Sequence, residues 1–177
     1  MNIYDVIPQY AKMLQNLDHW LAKAAAHAQA KGFDVDTLIH ARLAPDQFAF
    51  ARQIRAACDT AKKSAGYLSG RQPPDHPDTE TTIAELRTRI RECLSFLESV
   101  TAADVSGGED RLVAPKVFPG MLDGKWVKGD RFLIEWSLPN FYFHVTTAYA
   151  ILRHNGVDLG KRDFIGTLTA HDPGSTA

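Results

Sequence analysis

Apolar residues recur at steps of three and four along much of the chain, which is the spacing of one face of an α-helix. In the first stretch, Tyr10, Leu14 and Leu17 follow this spacing. The pattern predicts four helices, over residues 4–31, 45–69, 79–101 and 130–155. Four long amphipathic helices in a chain of 177 residues predict an all-α fold, a four-helix bundle around one hydrophobic core.

Two local signals refine the helix boundaries. Thr82 and Glu85 have the spacing of a capping box, in which each side chain binds a free backbone N–H at the helix start. Pro139 falls inside the fourth predicted helix and has no N–H to donate. We therefore expect a kink there, or a locally unwound turn that ends near Ser137.

The segment between the third and fourth helices mixes β-branched residues with proline and glycine. Within it, Asp123-Gly124 is a turn signal typical of hairpins. We predict a short β-hairpin or an ordered loop here, which must lean on the helices because a single hairpin is not stable alone.

The C-terminal segment is expected to pack back over the bundle through Phe164, Ile165 and Leu168. With that segment included, residues 1–170 are predicted to form a single domain. Residues 171–177 are small, polar or helix-breaking, and we expect them to be a disordered tail.

Composition and charge exclude some classes of function. Hydrophobic residues make up 45% of the chain and charged residues 23%, which is ordinary for a soluble globular protein. The net charge of −1 argues against nucleic-acid binding, which requires a clustered basic face. Arg87, Arg89 and Arg91 lie close together, but Glu85 and Glu92 interrupt them, so we interpret the cluster as a solvated helix face.

A cytoplasmic location with no membrane contact is expected. No stretch approaches the roughly 18 apolar residues that a membrane-spanning helix needs, and the early acidic residues are unlike a signal peptide. Cys58 and Cys93 fall on predicted inner helix faces without a C-x-x-C spacing, so we expect both to be reduced thiols in the core.

Asn140 and His144 form the first candidate site. They stand four residues apart on the fourth predicted helix, so their side chains project from one face. Phenylalanine and tyrosine residues surround them and indicate a buried helix. A buried polar group without a partner costs about 1–3 kcal/mol. His144 is therefore either a hydrogen-bonded core histidine or a residue that takes part in chemistry.

Other candidate sites carry weaker signals. No two of the seven histidines have the H-x-x-x-H spacing that presents two imidazoles from one helix face, so the residues alone do not predict a metal site. Arg55 and Asp59 have the spacing of an ion pair one helical turn apart. Gln53 lies at the margin of the apolar stripe of the second helix.

The segments NFYFHVTTAYAILRHNG and PDQFAFARQIRAACDTAK resemble the DinB/YfiT-like superfamily, as does the helix order with its long third connection. LPNFYFHVTTAYAILR and the following G-V-x-L-G-K-x-D-[FY] are similar to an uncharacterised branch of it, a bacterial domain-of-unknown-function family. The similarity extends from the first helix to Gly166. It implies a four-helix bundle, often a homodimer. In many members one histidine on helix two and an H-x-x-x-H pair on the last helix hold a divalent metal.

This resemblance assigns three residues to the family's site. Leu152-Arg153 stand eight and nine residues after His144, as in the family motif, so His144 matches the second histidine of the pair. Asn140 takes the place of the first, and the helix-two histidine falls on or near Gln53. Carboxamide oxygens are poor ligands for a transition metal compared with imidazole. We therefore expect no metal and no cofactor, but a metal-free polar pocket formed by Gln53, Asn140 and His144.

Three functions remain open at this stage. The pocket between the helices binds a small molecule, which is the prediction we carry forward. Alternatively, His144 is a ligand or a general base in the metal-dependent or thiol-cofactor-dependent transferase or isomerase chemistry that the resemblance implies for some relatives. In the third alternative, the bundle is a dimerising scaffold without a ligand. The sequence does not decide whether the protein is an enzyme.

Overall fold

A computed structural model describes residues 3–115 and 121–170 of the chain. Its helices are α1 (Val6–Lys31), α2 (Phe50–Ser69), α3 (Ile83–Glu98), α4 (Gly129–Arg131), α5 (Leu138–His154) and α6 (Lys161–Ile165). Short 3₁₀ turns span Ile3–Asp5 and Val35–His40, and a π-helical segment spans Phe132–Ser137. Two strands, β1 (Leu112–Val113) and β2 (Val127–Lys128), pair antiparallel.

The four long helices pack around one core. Helix α2 lies against both α3 and α5, and α1 lies against α3. Tyr10, Trp20, Phe50 and Phe141 are fully buried between them, and the rings of Tyr10 and Phe141 have centroids 4.6 Å apart. Burying one phenylalanine side chain contributes about 1.5–3 kcal/mol, so this core accounts for the packing of the helices. The predicted all-α bundle with a short hairpin is confirmed.

Helix α2 begins later than the pattern predicted. The prediction started at residue 45, whereas the helix starts at Phe50. The preceding backbone is bonded elsewhere, since the Phe50 N–H donates to the Ala41 carbonyl at 2.9 Å. The Phe48 carbonyl accepts from the Gln53 side chain, also at 2.9 Å. A polar side chain thus takes a carbonyl that the backbone ladder of a longer helix would use.

The two predicted local signals are both found. Thr82 and Glu85 form the reciprocal capping box at the start of α3, with the Glu85 N–H donating to Thr82 Oγ1 at 3.1 Å. The chain before Pro139 adopts a π-helical turn that ends at Ser137. Because Pro139 cannot donate to the carbonyl four residues earlier, the helix widens there rather than continuing with regular α-helical bonds.

The hairpin stands on the end of the bundle next to α4. Leu112 pairs with Lys128 and Val113 with Val127. Below the strands, the Gly129 N–H donates to the Arg111 carbonyl at 2.9 Å, which fixes the hairpin base to the start of α4. The predicted turn signal lies in the connection between the strands, where Gly124 has φ +68°. That turn therefore shapes the loop and does not join the strands directly.

The C-terminal segment packs back through α6, as predicted, but by fewer side chains. The Trp20 indole N–H donates to the Asp163 carbonyl at 3.1 Å, and the Phe164 ring stacks on Trp20 with centroids 5.5 Å apart. Ile165 is 40% exposed and Leu168 is 75% exposed, so the prediction that these two side chains pack against the bundle is wrong. One helical turn brings only Phe164 onto the core. The predicted disordered tail lies outside the described residues.

Arg89 corrects the interpretation of the arginine cluster as a solvated face. Its side chain is only 2% exposed, and its guanidinium lies 2.7 Å from Asp59, 2.8 Å from Glu80 and 3.1 Å from Asp78. These carboxylates belong to α2 and to the connection between α2 and α3. The ion pairs therefore join three segments, and of the three clustered arginines only Arg91 is exposed.

The predicted ion pair between Arg55 and Asp59 is also wrong. Arg55 Nε donates to Glu80 at 2.7 Å, while the Asp59 carboxylate binds Lys62 at 3.1 Å and Lys63 at 2.7 Å. Arg55 thus pairs with a carboxylate of the folded-back connection that is 11% exposed, whereas Asp59, at 28% exposed, pairs with two lysines of its own helix.

The two cysteines are buried free thiols, as expected. The Cys93 thiol donates to the Cys58 carbonyl at 3.4 Å. The neighbouring Cys93 and burial both raise the pKa of the Cys58 thiol, so the Cys58 sulfur is not an activated nucleophile. Within residues 3–115 and 121–170, no helix is both long enough and apolar enough to span a membrane.

Candidate functional site

Gln53 and His144 meet between α2 and α5, as the sequence predicted. His144 Nδ1 lies 2.8 Å from Gln53 Oε1, and the Gln53 amide group donates to the Phe48 carbonyl at 2.9 Å. Because the Gln53 side-chain nitrogen donates to the Phe48 carbonyl, the Gln53 side-chain oxygen faces the imidazole and accepts the Nδ1–H. This fixes the tautomer of His144 and leaves Nε2 with an unshared electron pair.

His144 is neutral at physiological pH. Burial, with a further contribution from the Arg52 guanidinium, lowers the pKa of His144 from 6.5 to about 4. Arg52 lies over the Phe48 ring, 3.6 Å from its centroid, and that ring is parallel to the imidazole with centroids 6.4 Å apart. Phe143 approaches the imidazole edge-on at 5.3 Å. The site therefore offers one hydrogen-bond acceptor, Nε2, in aromatic surroundings.

Asn140 does not join this pair. Its side-chain amide donates to Thr60 Oγ1 at 2.7 Å, and the Thr60 hydroxyl donates in turn to the Ala56 carbonyl at 2.7 Å. Asn140 thus contacts α2 two turns beyond Gln53. The structure brings two of the three predicted residues together and places the third at a separate position.

These residues do not fit the divalent metal that the family resemblance implies. Both polar atoms of Gln53 are engaged, and Asn140 contacts Thr60 instead of joining the pair, so only the His144 imidazole is available as a ligand at this position. A structural or catalytic zinc site needs at least three protein ligands. The described part of the chain also contains no group of three histidine, cysteine, aspartate or glutamate side chains that could hold a metal.

Asn140 lies instead in the wall of a cleft of about 910 Å³. The cleft is bounded by one face of α2, the start of the connection that follows it, the hairpin and the π-helical segment. Gln53 and His144 are not among its lining residues. The side chains that matter for recognition are aromatic or charged: Asp59, Lys63, Tyr67, Arg71, Asp75, Arg111, Trp126, Phe132 and Trp136.

Buried hydroxyl groups support the wall of this cleft. Ser64, which lines the cleft, hydrogen-bonds Ser137 at the end of the π-helical segment, and Ser137 lies 2.5 Å from the Tyr10 hydroxyl. Burial raises the pKa of Tyr10 above its ordinary value, so the phenol stays protonated. The three hydroxyls bind the π-helical segment to both α1 and α2.

Sequence reasoning missed the cleft because its walls come from distant parts of the chain. The available signal was the unusual grouping of Trp126 and Trp136 beside the glycine-rich and proline-rich connection, which a buried helix does not explain. Trp126 is 64% exposed on the hairpin. An exposed tryptophan beside a concave surface is typical of binding sites.

The comparisons with known proteins agree with this architecture. Residues 3–165 match the model of a family described as "Domain of unknown function (DUF1993)". A DinB family member protein from Shewanella denitrificans, with a crystal structure at 1.83 Å resolution, is 44% identical with a TM-score of 0.89. The similarity covers 96% of this chain and 95% of that chain. No curated protein matches. The resemblance to DinB-like proteins is confirmed.

Proposed function

The chain belongs to the DUF1993 family, and from that premise we propose that it binds a small molecule in the cleft beside Asn140. The observation that carries the proposal is the cleft itself. Its volume of about 910 Å³ falls within the range of ligand sites, roughly 300–1,000 Å³. Of the predicted ligand-binding residues, Asn140 belongs to this site, whereas Gln53 and His144 support the bundle nearby.

Aromatic side chains give the cleft an apolar wall. Tyr67 on α2 meets Phe132 of the π-helical segment edge-on, with ring centroids 5.5 Å apart. Trp126 and Trp136 line the same cleft from the hairpin and from the π-helical segment. An aromatic group of a ligand would bury ring surface here that water now covers, and apolar burial is the main favourable contribution in such sites.

Polar atoms in the cleft can orient a ligand. Asn140 uses its amide nitrogen for Thr60, and its carbonyl oxygen has no hydrogen-bond partner among the described residues. That oxygen can accept a hydrogen bond from a ligand, because the bond to Thr60 holds the side chain in one orientation. A few fixed polar groups in an otherwise apolar site are what set the orientation of a bound ligand.

Filling the cleft tests the proposal. We expect Ala56→Trp to remove ligand binding, because Ala56 lines the cleft and is half-buried on α2. Ligand-observed NMR with a library of aromatic fragments should give hits for the wild-type protein that disappear in the variant. Ala25→Trp on the exposed face of α1 is the matched control and should keep the hits. Hits that survive Ala56→Trp, or no hits with the wild type, would refute cleft binding.

The geometry disfavours the alternative in which His144 is a general base. A catalytic base works best with a pKa near the working pH, and the pKa of His144 is lowered to about 4. Its Nδ1–H is committed to Gln53, and Nε2 is at most a weak base. His144 can accept a hydrogen bond, but proton abstraction at neutral pH would need another group to raise its pKa.

We also infer that the chain self-associates through the surface beside His144. Phe143 is 55% exposed and Phe48 is 39% exposed, and both rings flank the imidazole. We expect a dimer in sedimentation-velocity experiments on the wild-type protein, and Phe143→Glu should shift it to monomer because a charge would be buried. Leu168→Glu, at an exposed site on the C-terminal segment, should leave it unchanged. A monomeric wild type would contradict this.

A further inference from the structure

Five charged side chains line the cleft, and most of them already form ion pairs. Among the lining side chains, three are cationic and two are anionic: Lys63, Arg71, Arg111, Asp59 and Asp75. The Asp59 carboxylate is already bound by Lys62 at 3.1 Å, Lys63 at 2.7 Å and Arg89 at 2.7 Å. Asp59 is thus ion-paired on the bundle side, and it shares Arg89 with Glu80 and Asp78, so it does not make the cleft negative.

Arg71 also has partners, and they lie outside the cleft lining. Its guanidinium donates to the Ser99 carbonyl at 2.5 Å and lies 3.4 Å from the Asp104 carboxylate. Asp75 is exposed on the connection after α2 and, like Arg111, has no ion pair among the described residues. Arg111 is the lining cation without an ion pair among the described residues, and no described carboxylate lies within 4.0 Å of its guanidinium.

Arg111 is exposed, and its guanidinium lies against Gly70 in the cleft wall. Its backbone is fixed immediately before β1, where its carbonyl accepts from the Gly129 N–H at 2.9 Å. Its guanidinium passes over Gly70, and Nη1 lies only 2.6 Å from the point that a Cβ at Gly70 would occupy. Gly70 has φ +74° at the end of α2. The absence of a side chain there gives the guanidinium its place against the wall.

We propose that the cleft selects an anionic molecule with a planar apolar body, of the class of aromatic carboxylates, and that Arg111 binds the anionic group. The proposal rests on the proposed function and adds the chemical class of the ligand. A guanidinium presents parallel N–H donors that match the two oxygens of a carboxylate. Trp126, exposed on the same hairpin, and Tyr67 supply flat apolar surface for the body of the molecule.

The test compares two probes that differ in charge and share one ring system, 2-naphthoate and 2-naphthamide. Isothermal titration calorimetry should show that the wild type binds the naphthoate at least about tenfold more tightly, because hydrogen bonds between a guanidinium and a carboxylate are stronger than those to a neutral amide. Arg111→Gln should remove this preference, while Arg111→Lys should keep part of it. Arg131→Gln, which alters an exposed arginine outside the cleft lining, is the matched control and should keep the full preference.

Each outcome decides between the two proposals. Equal affinity for both probes, abolished for both by Ala56→Trp, would overturn the anionic class and leave the cleft as a binding site. A naphthoate preference that persists in Arg111→Gln would overturn the role of Arg111. If neither probe binds, aromatic carboxylates are excluded, and the fragment screen with Ala56→Trp separately decides whether the cleft binds any ligand. Circular dichroism and the retained preference of Arg111→Lys verify that the variants are folded.

Discussion

Replacing Arg89 by alanine should lower the free energy of unfolding by about 3–5 kcal/mol, the cost expected when one partner of a buried ion pair is removed. Arg89 is 2% exposed, and the Glu80 side chain that it contacts at 2.8 Å is 11% exposed. Without the guanidinium, Glu80 keeps only the more exposed Arg55, and Asp59 loses one of its two buried partners while it keeps Lys62 and Lys63. Urea unfolding monitored by circular dichroism measures the difference.

Arg91→Ala is the matched control for this prediction. Arg91 lies on the same helix, is exposed, and donates a hydrogen bond to Thr88 Oγ1 at 2.7 Å. Its loss should change stability by less than about 0.5 kcal/mol, as is usual for exposed positions. If Arg89→Ala also costs less than about 1 kcal/mol, the buried ion pairs do not hold the connection to the bundle.

The pH dependence of the Arg89→Ala effect provides an independent readout. Burial alone would raise the pKa values of both carboxylates. Lys63 and Lys62 outweigh it at Asp59, and at Glu80 the guanidinium groups of Arg89 and Arg55 contribute to the lowered pKa, so Arg89→Ala acts on the pKa of Glu80. A lowered carboxylate pKa stabilises the fold above the unfolded-state value and stops doing so as pH falls through the folded-state value. The stability gap between wild type and Arg89→Ala should therefore narrow below about pH 4, near the unfolded-state pKa of Glu80.

Arg89 also shows why the sequence predicts the bundle better than its polar contacts. Helix periodicity depends on apolar residues within one segment, and it correctly identified the four helices; the spacing of Thr82 and Glu85, equally local, identified the capping box. The partners of Arg89 lie on α2 and on the connection, 30 residues away at Asp59. An arginine between apolar positions is read as solvated unless those distant carboxylates are known to fold against it.

The candidate site was likewise predicted only in part. The family motif placed His144 and Gln53 correctly as a contact, because it aligns positions on two helices that pack directly together. It grouped Asn140 with them, although one helical turn was enough to give Asn140 a different partner, Thr60. The cleft could not be predicted, because its volume depends on where the hairpin and the π-helical segment come to rest against α2.

The position of that hairpin depends on close backbone packing at Gly129. We expect Gly129→Ala to lower the free energy of unfolding by about 3 kcal/mol, at the upper end of overpacking effects. A Cβ at this position would lie 2.0 Å from the Gly108 carbonyl oxygen and 3.1 Å from Leu68 Cδ2. A backbone oxygen cannot move aside as a flexible side chain can, so the hairpin base must shift away from residues 105–108.

Because the Gly129 N–H binds the Arg111 carbonyl, this shift should also displace Arg111 and weaken naphthoate binding. Hydrogen exchange should show faster exchange at the residue-129 and Asp130 amides in the Gly129→Ala variant, while amides in the middle of α2 stay protected. Gly160→Ala is the matched control, since its Cβ would meet no atom nearer than 3.8 Å and its φ of −123° suits alanine. Unchanged exchange and unchanged stability in Gly129→Ala would show that this contact does not hold the hairpin. The contact at Gly129 would then not explain the position of the Arg111 backbone.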